Sequence, residues 1–451
     1  MKLYIKSILA GTMLMVSSTA MLAQYTNSAY FTENHLYRHE LNPAFGSEKG
    51  YVSLPILGNI NFGLQGNLNL ENVLYNVNGK TATFLHPEVS TEEVLKNISD
   101  ENKMLFDMKI GILSAGFKAF GGYNTFAINM RTSVGLNLPG NLFRMAKEDI
   151  TSKEYDLSGL NAQANAFAEI ALGHSRKVMD NLTVGAKLKF LLGGANVQAN
   201  LNKALINTGN EGYWEVEANA EMKAAVKGMS FKHDTPNDKK VDGIDMDGAG
   251  LNGFGFAVDL GAEYEVMEGL KVSAALTDLG TIKWSNVIYA KNARNKFQLK
   301  DYTFGIDDDV NGTFEDDMEK LTDDLGEIAD LTETDGEAYS TGIGTTLRIG
   351  AEYKMPFYDK LSVGGLLTSR MGDYSWTEFR LSANVAPIKM LSAGLNLGMG
   401  TYGTNLGWII DFHPTGFGLF LAMDKTIGSV SKQFIPLKSN ASFSMGINIP
   451  F

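Results

Sequence analysis

The residues in this sequence that could do chemistry do not form a recognisable catalytic pattern. None of the six histidines lies at a spacing typical of a metal site. No serine lies in the context of a nucleophile elbow, and the absence of cysteine excludes disulfides and thiol catalysis. The net charge of −12 argues against nucleic-acid binding, which needs a basic surface. We therefore expect neither an enzyme nor a nucleic-acid-binding protein.

One acidic segment resembles the beginning of a calcium-binding loop. Asp307, Asp309 and Asn311 occupy its first ligand positions and precede a glycine. The position where such a loop has its bidentate glutamate holds Met318 instead. Two hypotheses stay open, namely calcium binding by these residues and simple solvation of an acidic turn. No other cofactor is expected.

Asp278 is a further candidate for a functional residue, because it is an acidic residue inside the apolar pattern of the strand "ALTDLGTIKW" (275–284). Asp278 shares a strand face with apolar residues on both sides, and a carboxylate that faces lipid is unfavourable. We predict a bulge between Thr277 and Gly280 that turns Asp278 inward and Leu279 outward. The alternative places Asp278 near a membrane interface.

Strands must position these residues, because most of the chain alternates between apolar and polar residues with a period of two. A soluble sandwich gives the same alternation, but its strands are mostly about five or six residues long. The longer segments here carry charges of both signs on the second face, which favours an all-β, transmembrane outer-membrane β-barrel with a polar lumen. Aromatic residues near strand ends should lie at the membrane interfaces: Tyr264, Trp284, Tyr353 and Phe412.

The connections predict about 14 antiparallel strands, with short turns in the periplasm and long loops outside. The long loops lie near 71–106, 138–157, 196–249 and 285–338. Within 196–249, we expect residues 196–202 and 212–226 to form a hairpin above the membrane. Splitting the first strand in two would instead give about 16 strands. The predicted strands are 50–70, 107–120, 124–137, 158–174, 181–195, 250–266, 269–284, 338–354, 360–371, 374–386, 390–402, 404–413, 416–424 and 439–451.

Short helices are expected in the loops. Residues 90–98 begin with Ser90 as N-cap and Glu93 as its capping-box partner. Residues 314–331 have apolar side chains at helical spacing, and 141–149 are a further candidate. Packing on the barrel rim is favoured over a partner-binding role for these helices.

The N-terminus has the features of a secretory signal peptide over residues 1–23. Cleavage follows Ala23, or Ala20 in the alternative. The apolar run is too short for a transmembrane anchor. We therefore expect export of the chain to the outer membrane of a Gram-negative bacterium.

The C-terminus alternates up to its last residue, in "ASFSMGINIPF". A terminal strand that ends on an aromatic residue, here Phe451, resembles the signal read by the barrel-assembly machinery. Phe451 would also lie in the periplasmic aromatic girdle. Because Pro450 cannot donate a ladder hydrogen bond, its nitrogen should face away from the first strand or lie beyond the last ladder bond.

A short motif, Asn42, Pro43 and Ala44, precedes the first strand. It resembles the Asn-Pro-Ala element in the N-terminal hatch of the FadL long-chain fatty-acid transporter superfamily, outer-membrane barrels whose N-terminal segment plugs the lumen. The layout also resembles Bacteroidota outer-membrane barrels of uncharacterised function, distant relatives of that superfamily and of the type IX secretion shuttle barrel PorV. The resemblance implies a plug over residues 24–49 and a barrel over 50–451. The motif alone is equally consistent with a plain turn.

The resemblance also implies that the barrel binds or transports a small hydrophobic compound. In FadL-type barrels a kinked strand opens a lateral gap to the bilayer, and by this analogy Asp278 and Gly280 mark the kink. The alternative is a non-transporting surface or secretion-associated barrel, similar to PorV, whose loops bind protein partners. The other expected partners are outer-membrane lipid and the barrel-assembly machinery. An apolar tunnel favours transport, whereas a lumen closed by pairs of charged residues favours the alternative.

Overall fold

The computed structural model describes most of the chain. The described residues are 26–68, 72–77, 80–148, 154–210, 212–233, 235, 239–292, 295–300, 325–326, 328–426 and 440–451. The predicted signal peptide and the calcium candidates Asp307, Asp309 and Asn311 lie outside them.

The described residues are mostly strands. The first strands are β1 (Tyr51–Ser53), β2 (Ile60–Gly66), β3 (Leu74–Val77), β4 (Lys80–Thr83), β5 (Glu101–Ala119), β6 (Gly122–Pro139), β7 (Glu154–Asp156), β8 (Leu160–Met179) and β9 (Leu182–Asn210). The next are β10 (Tyr213–Val226), β11 (Met229–His233), β12 (Val241–Met246), β13 (Gly253–Met267), β14 (Leu270–Trp284), β15 (Ile288–Asn292), β16 (Lys296–Lys300) and β17 (Leu331–Thr334). The last are β18 (Tyr339–Gly342), β19 (Thr346–Lys354), β20 (Leu361–Arg370), β21 (Trp376–Ile388), β22 (Leu391–Gly400), β23 (Gly403–Phe412), β24 (Gly418–Met423) and β25 (Ala441–Pro450).

These strands form a closed antiparallel barrel of 14 wall positions. β1 and β2 share one position, because both pair with β25 on one side and with β5 on the other. β18 and β19 likewise share the position beside β14. The first predicted strand is therefore split, but the split adds no wall position. This confirms the prediction of 14 strands and excludes 16.

The two faces of the wall differ as the alternation predicts. On β21, Phe379 and Leu381 are exposed on the outside, whereas Arg380 and Ser382 are buried in the lumen. Of the aromatic residues expected at the interfaces, Tyr264, Tyr353 and Phe412 are partly exposed. The prediction for the fourth, Trp284, was wrong, because it is fully buried on the lumen side.

One end of the barrel carries short turns and the other carries a tall extension; we call these the short-turn end and the loop end. β9 continues past the wall and pairs with β10 through residues 195–210. This confirms the predicted hairpin. The other edge of β10 pairs with β15 and β16, and β17 pairs with β15. The segment 285–338, predicted as a loop, therefore contributes strands to the extension.

The loop end also contains two short helices, α1 (Thr91–Leu95) and α2 (Gly140–Lys147). Ser90 caps α1, because its Oγ accepts a hydrogen bond of 3.2 Å from the Glu93 amide. Most of the helix predicted over 314–331 lies outside the described residues. Its described residues 325–326 and 328–329 are helical, whereas its expected last residue, Leu331, begins β17. Within the described part of the chain, no helix is long and apolar enough to cross a membrane.

The C-terminal strand closes the barrel. Gly50 and Phe451 exchange two backbone hydrogen bonds, of 3.0 and 2.9 Å. Pro450 lies opposite Tyr51, one residue away from that bonded pair, so its nitrogen faces away from the first strand. This confirms the expectation for Pro450. The Phe451 ring lies over Gly50, where a Cβ would approach the ring to 2.4 Å.

Candidate functional site

The N-terminal residues 26–45 lie inside the barrel at the short-turn end and form the plug. Most of residues 26–45 are buried, including two 3-10 turns, Asn27–Ala29 and Arg38–Glu40. The first turn is anchored on one carboxylate, because the amides of Asn27 and Ser28 donate to Asp424 over 2.7 and 2.6 Å. Hydrogen bonds from two backbone amides to a carboxylate are strong inside a protein, and they hold the start of the plug against the wall.

The Asn42-Pro43-Ala44 motif lies in a seat made by two glycines of the wall. Gly185 on β9 and Gly261 on β13 are partners in the ladder. A Cβ on Gly261 would lie 2.0 Å from Asn42 Oδ1, and a Cβ on Gly185 would lie 2.2 Å from the Pro43 oxygen. Only glycine therefore allows the plug to come this close to the wall.

Asn42 fastens the plug to this seat. Its Nδ2 donates to the carbonyl oxygens of Ala262, at 3.2 Å, and Ala274, at 3.4 Å. Its Oδ1 accepts from the Ala44 amide at 3.0 Å, which also fixes the local turn. The motif is thus both a turn and a contact with the wall, and sequence reasoning had treated the two as alternatives.

The bulge predicted in β14 is present close to this seat. The register between β13 and β14 shifts between Val258 and Leu260, and Asp278 adopts a left-handed conformation with φ of 61°. Asp278 is buried in the lumen, while Leu279 is 48% exposed on the outside. The extra residue reverses the facing of every later residue in β14, which explains why Trp284 points inward.

The hydrogen-bond ladder on the other side of β14 is interrupted at the same height. Pairing with β19 ends at Thr277, and pairing with β18 resumes at Thr281. Residues 278–280 and 343–345 are therefore not registered partners. One side-chain contact spans the interruption, a hydrogen bond of 3.1 Å that Thr345 Oγ1 donates to the backbone carbonyl oxygen of Asp278. We call this place the interrupted ladder.

A buried cluster of charged side chains surrounds Asp278. Arg131 donates to both Asp278 carboxylate oxygens, at 2.8 and 3.1 Å, and Lys189 donates to one of them at 2.6 Å. Lys189 also contacts Asp259 at 2.8 Å, and Arg131 contacts Glu169 at 3.0 Å. These five residues come from five adjacent wall strands. Because their side chains are largely buried from water, the electrostatic attraction between them is strengthened.

Sequence reasoning did not assign these partners of Asp278. The available signal was their position on the polar face of alternating strands. That signal indicates that a side chain faces the lumen, but it does not indicate the position of the side chain along the barrel axis.

A second group of polar contacts joins the plug to the wall. His39 contacts the Lys187 ammonium through Nδ1 and the Tyr51 hydroxyl through Nε2, both at 2.8 Å. Burial and the neighbouring Lys187 charge hold the pKa of His39 well below its usual value. The next plug residue, Glu40, pairs with Lys109 at 2.7 Å. The plug is thus held by neutral and charged contacts together.

On the loop-end side of the interrupted ladder, apolar side chains line the lumen. Ile282, Trp284 and Ile343 belong to one buried apolar cluster with Phe167, Leu191 and Ala257. Ile343 is one of the residues 343–345 at the interrupted ladder. A separate, larger apolar cluster lies in the loop end and includes α2. The interrupted ladder therefore lies between an apolar layer and a charged layer.

A cavity of about 770 Å³ opens on the other side of the plug, at the short-turn end. Phe31, Glu33 and Arg38 of the plug line it, together with strand ends of the wall. The Phe31 ring rests on Gly364, where a Cβ would lie 2.6 Å from the ring. The same ring belongs to a buried apolar cluster with Tyr30 and Leu366.

Metal binding finds no support in the part of the chain that the structure describes. No group of three or more histidine, aspartate or glutamate side chains there is arranged to hold a metal ion. The calcium hypothesis concerns residues outside that part.

The fold and this site define a plugged barrel with an interrupted wall. The chain belongs to a family of unknown function, DUF5723, whose family model matches residues 43–424. No curated protein matches the chain in sequence.

Several solved barrels resemble the chain in overall fold. The TodX deltaS2S3 mutant monoaromatic hydrocarbon channel is 8% identical, with 96% of both chains covered and a TM-score of 0.43. A Pseudomonas aeruginosa FadL homologue is 11% identical, with 96% of this chain and 98% of that chain covered and a TM-score of 0.41. The Ralstonia pickettii toluene transporter TbuX is 10% identical, with 91% and 90% covered and a TM-score of 0.39. The architecture given above rests on this chain's own strand pairing.

Proposed function

We propose that this protein is an outer-membrane β-barrel that binds a small hydrophobic compound at its loop end and releases it sideways into the bilayer. The observation that carries the proposal is the position of the interrupted ladder. It lies directly between an apolar layer of the lumen and a charged layer that closes the lumen beneath it.

The outer surface supports a membrane location. Apolar side chains such as Leu188, Leu260, Ile349, Leu381 and Leu395 are each more than 40% exposed on different wall strands. Such a belt is unfavourable in water but is stabilised by the hydrocarbon core of a bilayer. By the rule for outer-membrane barrels, the end with short turns faces the periplasm and the loop end faces outside.

The sideways route follows from the chemistry on the two sides of the interrupted ladder. An apolar compound gains contacts with Ile282, Trp284 and Ile343, but it would have to disrupt the paired charges around Asp278 to move further down. Breaking buried ion pairs costs about 3–5 kcal/mol each. The compound can instead leave through the wall between residues 278–280 and 343–345. This step requires movement of side chains, chiefly of Ile343, but few backbone hydrogen bonds have to break.

The plug has a direct connection to this route. Asn42 binds the Ala274 carbonyl on β14, shortly before the bulge. In this proposal the seated plug holds β14 in its bulged form and closes the lumen below it. The Asn42-Pro43-Ala44 motif then acts as a hatch element, as its resemblance to FadL-type barrels implies.

A disulfide across the interrupted ladder tests the sideways route. Thr281 and Gly342 are registered partners at the edge of the interruption, and the chain has no cysteine of its own. The probe is N-phenyl-1-naphthylamine, a small apolar dye that fluoresces when it enters the membrane of intact cells. We expect wild-type expression to speed dye entry, and the oxidised Thr281→Cys/Gly342→Cys pair to remove that gain until a reductant is added.

The matched control is a disulfide elsewhere in the wall. Ser369 and Thr377 are partners on β20 and β21 with hydroxyls 2.9 Å apart, so Ser369→Cys/Thr377→Cys should leave dye entry unchanged. Phe31→Ala, which removes a ring that lines the short-turn cavity, should also have no effect on sideways release. Dye entry that is insensitive to the first pair but faster in Phe31→Ala would refute the sideways route.

One observation favours the second candidate, a surface barrel that binds protein partners without transport. The lumen beside the plug is closed by ion pairs, including Lys109 with Glu40 at 2.7 Å and Arg370 with Asp107 at 2.7 Å. Under this alternative, wild-type expression does not change dye entry. Protein purified from its native membrane then also carries no apolar ligand detectable by mass spectrometry.

A further inference from the structure

A small buried cavity lies between the plug and the wall, on the opposite side from the interrupted ladder. Gln65 on β2, Trp376 on β21 and Lys425 after β24 contribute to its lining, together with Asn27 of the plug. Its volume of about 10 Å³ corresponds to one particle of about the size of a water molecule.

Three side chains with hydrogen-bond donors line this cavity. The buried Trp376 Nε1 and Gln65 Nε2 have no hydrogen-bond partner among the described residues. The Lys425 ammonium donates to Gln65 Oε1 at 2.8 Å. This contact fixes the orientation of the Gln65 amide, because the reverse orientation would place its NH₂ group against the ammonium.

The carboxylates near the cavity have other partners. Glu378 accepts from Arg380 at 3.0 Å, and Asp107 accepts from Arg370 at 2.7 Å. The Asp424 carboxylate accepts from the two plug amides described above. Among the described residues, Lys425 has no carboxylate within 4.0 Å, and it is only 8% exposed.

We infer that this cavity is a binding site for one small monovalent anion of the halide class. A buried ammonium that no carboxylate contacts directly is costly, and so is a buried N–H without an acceptor. A halide ion corrects both, since it accepts hydrogen bonds from Trp376 and Gln65 and neutralises the charge of Lys425. A water molecule satisfies the two N–H groups but leaves the charge.

The site adjoins the anchor of the plug. Asp424 precedes Lys425 in the chain and holds the amides of Asn27 and Ser28, while Arg380 donates to the Asp424 carbonyl at 3.1 Å. An anion bound beside Lys425 therefore stabilises the wall on which the first plug turn docks. This effect is independent of the transport route proposed above.

The test compares the thermal unfolding of the purified barrel in chloride and in gluconate at constant ionic strength. Gluconate is too large for the cavity, so chloride should raise the Tm by about 2 °C or more. Lys425→Met should remove the dependence on chloride, whereas Lys389→Met, which changes an exposed lysine, should keep it. Crystals grown in bromide should show an anomalous peak between Trp376 and Lys425.

Two further variants keep the inference testable if Lys425→Met fails to fold. Trp376→Phe removes one donor but keeps an aromatic ring, and it should weaken the chloride dependence. Gln65→Glu supplies a built-in carboxylate next to the ammonium, so it should raise the Tm in gluconate and abolish the response to chloride. An equal Tm in the two salts for the wild type, together with no bromide peak, would show that water occupies the cavity and would overturn the inference.

Discussion

Replacing Asn42 with alanine should loosen the plug measurably. Asn42 is fully buried; its Nδ2 donates to the Ala262 and Ala274 oxygens, and its Oδ1 accepts from the Ala44 amide. Each hydrogen bond contributes a net stabilisation of about 0.5–1.5 kcal/mol. The bond to Ala44 lies within the plug, so docking loses only the two bonds to the wall, which should lower the free energy of plug docking by about 1–3 kcal/mol. Since 1.4 kcal/mol is about a tenfold change in an equilibrium constant, the undocked population should rise about 5- to 140-fold.

The assay uses a cysteine placed in the plug. Thr32 is fully buried, so Thr32→Cys reacts with a maleimide only when the plug leaves its seat, and no other cysteine competes. The labelling rate of Thr32→Cys/Asn42→Ala should exceed that of Thr32→Cys alone by the factor given above. Asn34→Gly is the control, since Asn34 is exposed with φ of 66° and glycine keeps that conformation.

If Thr32→Cys/Asn42→Ala labels no faster than Thr32→Cys alone, Asn42 does not hold the plug in its seat. If Asn34→Gly accelerates labelling as strongly as Asn42→Ala, the effect does not depend on contacts with the wall.

Three further predictions concern the cluster, the C-terminus and pH. Asp278→Asn keeps the left-handed backbone but loses a buried ionic partner of Arg131, so the free energy of unfolding in urea should fall by about 3 kcal/mol; an unchanged urea midpoint would contradict this. Deleting Phe451 should lower the surface level of the protein measured by whole-cell immunoblotting, and unchanged levels would refute its role in assembly. Because burial and Lys187 lower the pKa of His39 in the docked plug, docking is fully stable above about pH 6.5, the pKa of a free histidine, and weakens as the pH falls below it. Labelling of Thr32→Cys should therefore accelerate below that pH, and less so in the His39→Gln background.

Much of the barrel could be predicted from local sequence alone. The alternation on each strand determines which side chains face outward, and turn lengths with antiparallel pairing lead to 14 wall positions. The bulge at Asp278 was predictable as well, because a carboxylate on an outward apolar face conflicts with its neighbours. The orientation of Pro450 followed from its missing N–H. Each of these inferences depends on residues close together in the chain.

The composition of the site required the tertiary structure. Arg131 and Lys189 meet Asp278 because strand register sets which lumen residues lie at the same height, and a period of two contains no information about height. The facing of Trp284 depended on the bulge several residues earlier. Gly185 and Gly261 gained their role only when the plug, far away in the chain, was placed against them. The sequence by itself determined a barrel and its two faces; the structure decided where that barrel is plugged and where its wall is interrupted, because both depend on contacts between distant segments.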